Sequence, residues 1–204
     1  MSDYTVFPFL FKGFRKMKRT VIGFGEDLWS YLVLLGNKVD VGENVSFNGV
    51  PFVEVNKKGN CTIGDGCTFN SKMFYNPIGR NQRCQIVVGE NAVLTIGNTV
   101  GVSSSAIICY DSITIGNNVK IGGNTVIYDS DFHSLDFLKR RTAHTDLAET
   151  KPVIIGDDVF IGAHVTILKG VHIGPRAVVA AGSVITKDIP AEEIWGGNPG
   201  RKIR

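Results

Sequence analysis

One stretch of the chain repeats an apolar pair every six residues, and this period limits what the chain can fold into. The aliphatic series is Ile155, Ile161, Ile167, Ile173, Val179 and Ile185. Two positions before each stands a small or β-branched residue: Val153, Val159, Val165, Val171, Ala177 and Ser183. A spacing of two is typical of an extended strand, whereas an amphipathic helix needs spacings of three and four. The stretch therefore predicts short strands joined by regular turns.

Such a hexapeptide period is typical of a parallel β-helix, whose stacked coils share one continuous core. Glycines 156, 162, 174 and 182 fall between the apolar pairs, where we expect them to turn the chain because glycine tolerates positive φ. The cadence begins at Val39, and the irregular residues 72–84 are expected to project as a loop. A sandwich with evenly spaced strands is the alternative, and six consecutive registers disfavour it.

Composition narrows the class of protein further. The chain has 204 residues, 43% of them hydrophobic, which suits one soluble domain, and its net charge of +3 argues against a broad nucleic-acid surface. We expect a cytoplasmic protein, because no apolar run reaches the roughly 20 residues of a membrane span and the first apolar segment precedes the basic residues, the reverse of a secretory signal. Cys61 and Cys67 take inward positions of the repeat, and without a Cys-x-x-Cys pair we predict buried, reduced thiols.

Residues 1–36 do not follow the repeat. Residues 26–35, which include Trp29 and several leucines, predict a short helix that covers the open end of the β-helix. A basic cluster precedes them: Lys12, Arg15, Lys16, Lys18 and Arg19. This cluster either extends the cap or makes a peripheral contact with an anionic membrane. We therefore divide the chain into a cap segment, 1–36, and a β-helix domain, 37–204, with a loop at 134–152 and a tail at 188–204.

The repeat fails at His133, where an aliphatic residue is due. Asp131 takes the small position before it, and a polar stretch, 134–152, follows before the repeat restarts. Departures of this kind are where function is expected. His133 is the candidate general base, because an imidazole titrates near pH 6.5. The alternative is a polar residue that merely caps the entrance to a loop.

Three segments resemble the hexapeptide-repeat acyltransferases, particularly sugar O-acetyltransferases of the maltose/galactoside and colanic-acid types. They are residues 129–136 (DSDFHSLD), residues 152–163 (PVIIGDDVFIGA), and residues 180–190 (AAGSVITKDIP) together with 197–204 (GNPGRKIR). The resemblance implies an all-β, left-handed parallel β-helix that assembles as a homotrimer with active sites between subunits. It also implies acetyl-CoA as the co-substrate and a sugar as the acceptor.

The resemblance further implies roles for individual residues. His133 would take the proton of a sugar hydroxyl during direct acetyl transfer. Ser103, expected one coil earlier where the family often has Asn, would donate to the oxyanion or contact the acceptor. Asp131 would orient the imidazole or bind the acceptor. Acetyl-CoA would meet a further set of residues, from the pantetheine arm to the phosphates: Ala163, Ala181, Thr186, Lys187, Arg201 and Arg204.

The predicted function is therefore acetyl-CoA-dependent O-acetylation of a sugar of a surface polysaccharide or its precursor. No metal is expected, because the histidines follow one another at spacings of 11, 20 and 8 residues, unlike the three-histidine zinc sites of γ-class carbonic anhydrases. Two alternatives stay open. One is the same scaffold acetylating an amino sugar or serine, and the other is a β-helix that binds a partner without catalysis.

Overall fold

This computed structural model describes residues 3–72, 75, 76, 78 and 82–204, and leaves the side chains of residues 3–10 and 15–22 undescribed. Over these residues the backbone forms one long helix followed by twenty short strands that run round a three-sided prism. Part of the irregular stretch 72–84, namely residues 73, 74, 77 and 79–81, thus lies outside the described residues. Helix α1 spans Asp3–Gly36.

Three sheets form the sides of the prism, and successive strands visit them in turn. The first sheet contains β1 (Asp40–Val41), β4 (Asn60–Ile63), β7 (Val93–Ile96), β10 (Ser112–Ile115), β13 (Val153–Ile155) and β16 (His172–Ile173). The second contains β2 (Ser46–Asn48), β5 (Thr68–Asn70), β8 (Gly101–Ser103), β11 (Lys120–Ile121), β14 (Phe160–Ile161), β17 (Val178–Val179), β19 (Ile194–Gly196) and β20 (Arg201–Lys202). The third contains β3 (Phe52–Val55), β6 (Gln85–Val88), β9 (Ala106–Cys109), β12 (Val126–Tyr128), β15 (Thr166–Ile167) and β18 (Val184–Ile185). The predicted left-handed parallel β-helix is confirmed.

The repeat places the same kind of side chain inside every coil. Strand register stacks Ile115 on Ile155 and Ile155 on Ile173, and all three are buried. Neighbouring strands lie about 4.8 Å apart, so the aliphatic ladder forms one continuous core. All four cysteines are free and buried in this core, as predicted, and burial raises the pKa of the Cys61 thiol to about 12.

The glycines of the repeat serve a different purpose from the one expected. Glycines 156, 162 and 174 do not have positive φ; among the four singled out, only Gly182 does, at φ 73°. Asn118, Asn124 and Asp158 instead occupy left-handed turn positions. A Cβ on Gly162 would lie 2.6 Å from the backbone nitrogen of Ala181 in the next coil. These glycines are therefore needed because stacked corners approach one another too closely for a side chain.

Helix α1 is much longer than the predicted helix at 26–35. Apolar residues recur at spacings of three and four through the whole segment, which is the helical period. They are Phe7, Leu10, Phe14, Met17, Val21, Phe24, Leu28, Tyr31 and Leu35. Near its C-terminal end the helix packs on the first coil through the buried side chain of Leu34. Among the described helices, none combines the length and apolarity that crossing a bilayer requires.

Candidate functional site

A strained turn carries His133 out of the prism. Phe132, directly before it, has φ 64°, a conformation that a bulky residue adopts only when its surroundings hold it there. Its ring packs edge-on against Tyr128 at a centroid distance of 5.0 Å and against Tyr110 at 5.9 Å. These contacts fix the turn, and the His133 side chain is left 67% exposed.

Asp146, from the loop, holds the imidazole of His133. Nδ1 of His133 lies 2.6 Å from Oδ2 of Asp146, while Oδ1 accepts the backbone N–H of Ser134 at 2.7 Å. The hydrogen bond with His133, and then that with Ser134, lowers the pKa of Asp146 below its usual value of 3.8. An ionised Asp146 therefore accepts a hydrogen bond from Nδ1–H, which leaves Nε2 as the ring nitrogen that can accept a proton.

The structure does not pair Asp131 with His133, which was one of the two roles considered for it. Nζ of Lys169 lies 2.9 Å from Oδ2 of Asp131 and also forms an ion pair with Glu149. The hydrogen bond to Glu149, followed by that to Asp131, raises the pKa of Lys169. Asp131 is thus neutralised by a lysine one coil further on, beside the turn of His133 and not against its ring.

The loop 134–152 is closed at its base and apolar on its outer surface. Its two ends run antiparallel, with the N–H of Asp131 donating to Glu149 and that of Lys151 to Asp129. A short 3₁₀ helix, Lys139–Arg141, lies within it. Four large apolar side chains of the loop are exposed: Leu135, Phe137, Leu138 and Leu147. The loop therefore offers a surface suited to contact with another protein chain.

A cavity of about 260 Å³ lies at the C-terminal end of the prism and gathers several of the predicted acetyl-CoA residues. Its lining comprises Thr186, Lys187, Trp195, Pro199, Gly200, Arg201 and Lys202. Lys202 is paired with Glu193, whose pKa is lowered first by Lys202 and then by the indole N–H of Trp195. Lys187 and Arg201 supply positive charge to the cavity. Arg204 is exposed but does not line this cavity.

The predicted site residues divide between two edges of one prism. His133 follows β12, and Thr186 and Lys187 follow β18, so all three lie where the chain leaves the third sheet, which we call the histidine edge. The two levels are two coils, or roughly 10 Å, apart. Ser103 ends β8, and Ala163 and Ala181 follow β14 and β17, where the chain leaves the second sheet. We call this the serine edge.

The expected position of Ser103, one coil before His133, is therefore wrong within a single chain. Register pairs Ser103 with Asn70, whose amide donates to the Ser103 hydroxyl at 3.2 Å. Ser103 therefore lies one coil and one edge away from His133. Ala163 and Ala181 are stacked as predicted, and the carbonyl of Ala163 accepts the N–H of Gly182.

The other histidines lie apart from this arrangement. His144, His164 and His172 are exposed, and the ring of His164 contacts the amide of Asn124 at 3.1 Å. Within the described ranges, no three or more His, Cys, Asp or Glu side chains are grouped so as to hold a metal ion.

Sequence reasoning missed two functional candidates, Asp146 and Lys169. Asp146 lies 13 residues beyond His133 in a loop without periodicity, so no pattern indicates the pairing. Lys169 was detectable in principle, because it occupies the histidine edge one coil after the turn of His133. The sequence signal was a charged residue at the same edge of the prism, one coil after the break in the repeat at His133.

Comparisons with known proteins agree with this geometry. A family model described as "Hexapeptide repeat of succinyl-transferase" matches residues 152–187. A Saccharomyces cerevisiae protein named as a candidate acetyltransferase is 45% identical over 92 residues, which are 45% of each chain. The match spans less than half the length of the curated relatives.

Solved structures extend the likeness over most of the chain. Galactoside acetyltransferase in complex with coenzyme A is 26% identical, with a TM-score of 0.55, over 85% of this chain and 68% of that one. A hexapeptide-repeat-containing acetyltransferase from Vibrio cholerae is 30% identical, with a TM-score of 0.53, over 81% of this chain and 72% of that one. Because the Vibrio cholerae protein is 30% identical and the match covers 72% of it, this chain belongs to the hexapeptide-repeat acyltransferase family.

Proposed function

We propose that this protein is a cytoplasmic, acetyl-CoA-dependent O-acetyltransferase that acts on a hydroxyl group of a sugar in a surface polysaccharide or its precursor. Membership of the family supports acetyl transfer, and the likeness to galactoside acetyltransferase supports a sugar as acceptor. The observation that carries the proposal is the exposed imidazole of His133, whose Nδ1 is held by Asp146 at 2.6 Å.

His133 acts as the general base. A sugar hydroxyl is a weak nucleophile at neutral pH, and Nε2 of His133 accepts its proton as the oxygen attacks the acetyl carbonyl. The new bond joins the hydroxyl oxygen to the acetyl carbon, the carbon–sulfur bond breaks, and the proton passes from Nε2 to the departing sulfur. Asp146 stabilises the imidazolium in between and keeps Nε2 directed outward. Asp131, which is paired with Lys169, would contact the hydroxyls of the acceptor.

The C-terminal cavity fits the distal part of acetyl-CoA. It combines the hydroxyl of Thr186 with the cationic groups of Lys187 and Arg201, which suit phosphate oxygens. The exposed Arg204 adds charge beside it. Because Thr186 and Lys187 line the cavity and lie on the histidine edge, a ligand anchored there can extend its thioester about two coils along that edge to His133.

A homotrimer with sites between subunits would unite the two edges. The serine edge of one subunit would then face the histidine edge of the next, bringing Ser103, Ala163 and Ala181 to a neighbour's His133. The exposed apolar side chains of loop 134–152 supply a surface for this contact. Ser103 would donate to the oxyanion or hold the acceptor, and the two alanines would let the pantetheine arm approach the backbone.

The catalytic assignment is tested by thiol release from acetyl-CoA with a panel of sugars, amino sugars and serine. We expect release with a hydroxyl acceptor, and we expect His133→Ala to lower kcat by about 10²- to 10⁴-fold. His172→Ala, an exposed histidine outside the site, is the matched control and should keep full activity. Undiminished turnover in His133→Ala would remove His133 from the mechanism. An amide-linked product from an amino sugar would show that the acceptor group is an amine and not a hydroxyl.

The shared site is tested by mixing two inactive variants. Subunits with His133→Ala and subunits with Ser103→Ala are unfolded together, refolded and assayed. If each site takes His133 and Ser103 from different subunits, random assembly restores about a quarter of the wild-type sites. If both residues belong to one subunit's site, the mixture has no more activity than half that of Ser103→Ala alone.

A further inference from the structure

Helix α1 carries an apolar surface that the β-helix does not cover. Among the side chains of the helix that the structure describes, eight large apolar ones are exposed: Phe11, Phe14, Phe24, Leu28, Trp29, Tyr31, Leu32 and Leu35. Phe24 is 76% exposed and Trp29 is 59% exposed. On the other side of the helix, Ser30 and Leu34 are buried against the protein. So many large apolar groups along one element mark an interaction surface.

The width of this surface favours a flat partner over another helix. At 100° per residue, the exposed positions from Tyr31 to Trp29 cover an arc of roughly 160°. A coiled-coil partner covers a narrow seam of two positions per heptad, whereas a helix lying in a lipid interface buries about half its circumference. Aromatic side chains dominate the surface, and Phe, Trp and Tyr are the side chains favoured at the boundary between headgroups and acyl chains.

The charge of the same helix indicates the kind of lipid. Five cationic residues stand within eight positions: Lys12, Arg15, Lys16, Lys18 and Arg19. No Asp or Glu occurs from residue 12 to residue 25, and the next acidic residue, Glu26, is paired with Lys72 of the β-helix. This local excess of five positive charges exceeds the net charge of +3 of the whole chain. An anionic surface complements it, and each cationic side chain close to such a surface strengthens binding about fivefold.

We propose that helix α1 docks the protein on an anionic lipid bilayer. The helix lies in the plane of the interface, with Phe24, Leu28 and the neighbouring aromatic side chains at the acyl boundary and the basic segment among the headgroups. This inference goes beyond the proposed acetyl transfer and does not depend on it, since neither His133 nor the C-terminal cavity takes part.

Flotation of the full chain with vesicles tests the proposal. We expect binding to phosphatidylcholine vesicles that contain a quarter phosphatidylglycerol, at least tenfold weaker binding to pure phosphatidylcholine, and weakening by added salt. Lys16→Glu/Arg19→Glu should lower binding at least tenfold, whereas Lys57→Glu/Lys58→Glu, an equal charge reversal on the prism, should not. Phe24→Ser/Leu28→Ser should also release the protein, whereas Phe52→Ser, at an exposed aromatic of β3, should not.

A second measurement keeps the result independent of folding. In Trp195→Phe, Trp29 is the remaining tryptophan, and its emission should shift to the blue and be quenched by brominated anionic lipid. Equal binding by Phe24→Ser/Leu28→Ser and the parent, or an unshifted Trp29 emission, overturns the proposal. So does light scattering that shows a smaller assembly for Phe24→Ser/Leu28→Ser, because the face would then be covered by other copies of the chain. Acetyl transfer to a soluble acceptor should stay unchanged in all these α1 variants.

Discussion

Replacing Asp146 by Asn should lower the proposed acetyl-transfer activity more than the near-identical shape of the two side chains implies. The two carboxylate oxygens of Asp146 accept two hydrogen bonds, one from Nδ1 of His133 at 2.6 Å and one from the N–H of Ser134 at 2.7 Å. An amide has only one acceptor oxygen. The backbone N–H of Ser134 cannot give up its proton, whereas the imidazole can exchange tautomers. The amide oxygen therefore stays on Ser134, and its NH₂ group donates to Nδ1.

This exchange places the imidazole proton on Nε2, the nitrogen that must accept the proton of the acceptor. We expect kcat to fall by about 100-fold or more, bounded by the 10²- to 10⁴-fold contribution of the general base itself. The KM for acetyl-CoA should change little, because the C-terminal cavity is untouched. Asp146→Glu, which keeps two acceptor oxygens, should retain more activity than Asp146→Asn.

Steady-state kinetics and nitrogen-15 NMR of the histidine ring together check this reasoning. In the wild type, Nδ1 should carry the proton, and in Asp146→Asn, Nε2 should carry it. A merely structural role for Asp146 would lower kcat without changing the tautomer. If Asp146→Asn has wild-type kcat, or if both proteins have the same tautomer, the proton-transfer geometry proposed for His133 is wrong.

Four further predictions concern stability and reactivity. Ile161→Ala, in the buried ladder, should lower the free energy of unfolding by about 2–5 kcal/mol in denaturant titrations. Gly162→Ala should also destabilise the fold, by about 1–3 kcal/mol, because its Cβ would meet the backbone of the next coil at 2.6 Å; an unchanged thermal midpoint would contradict the close stacking. A thiol reagent should modify the four buried cysteines only after unfolding, so that they add no background to the thiol-release assay. The pKa of Asp146 is lowered in the folded protein, so its stabilising contribution is present above the ordinary value of about 3.8 and is lost as the pH falls through the lower folded value. The difference in thermal midpoint between wild type and Asp146→Asn should therefore shrink as the pH falls below about 3.8.

The coils themselves could be predicted because backbone geometry leaves little freedom. A spacing of two determines which side chains point inward, and a repeat of six determines how often the chain turns. The series that contains Ile155 and Ile161 therefore predicts the fold without any knowledge of contacts. The break at His133 was visible for the same reason. A histidine occupies a position where the repeat predicts an aliphatic residue, and the 19 residues after it do not follow the repeat. Both departures are conspicuous because the rest of the pattern is regular.

What could not be predicted depends on contacts that no period encodes. The partner of His133 comes from a loop whose path is set by side-chain packing, so Asp131, nearer in sequence, was the natural but incorrect candidate for orienting the ring. The position of Ser103 was misjudged because Ser103 and His133 are 30 residues apart, which is one coil and part of another, so the two residues leave different sheets. The roles of the glycines were misjudged because the pattern shows a turn but not how closely two turns are stacked.

The antiparallel strand β20 ends the second sheet, where every earlier neighbour is parallel. A parallel ladder is a template onto which another prism could be added, and repeated addition of that kind leads to fibres. Because the strand Arg201–Lys202 folds back antiparallel along β19 and carries two cations, we expect it to oppose such addition. The segment that lines the C-terminal cavity thus also covers the last parallel strand of the second sheet. A truncation that removes Arg201 and Lys202 should therefore make the protein more prone to aggregate, besides removing cations that we propose to hold acetyl-CoA.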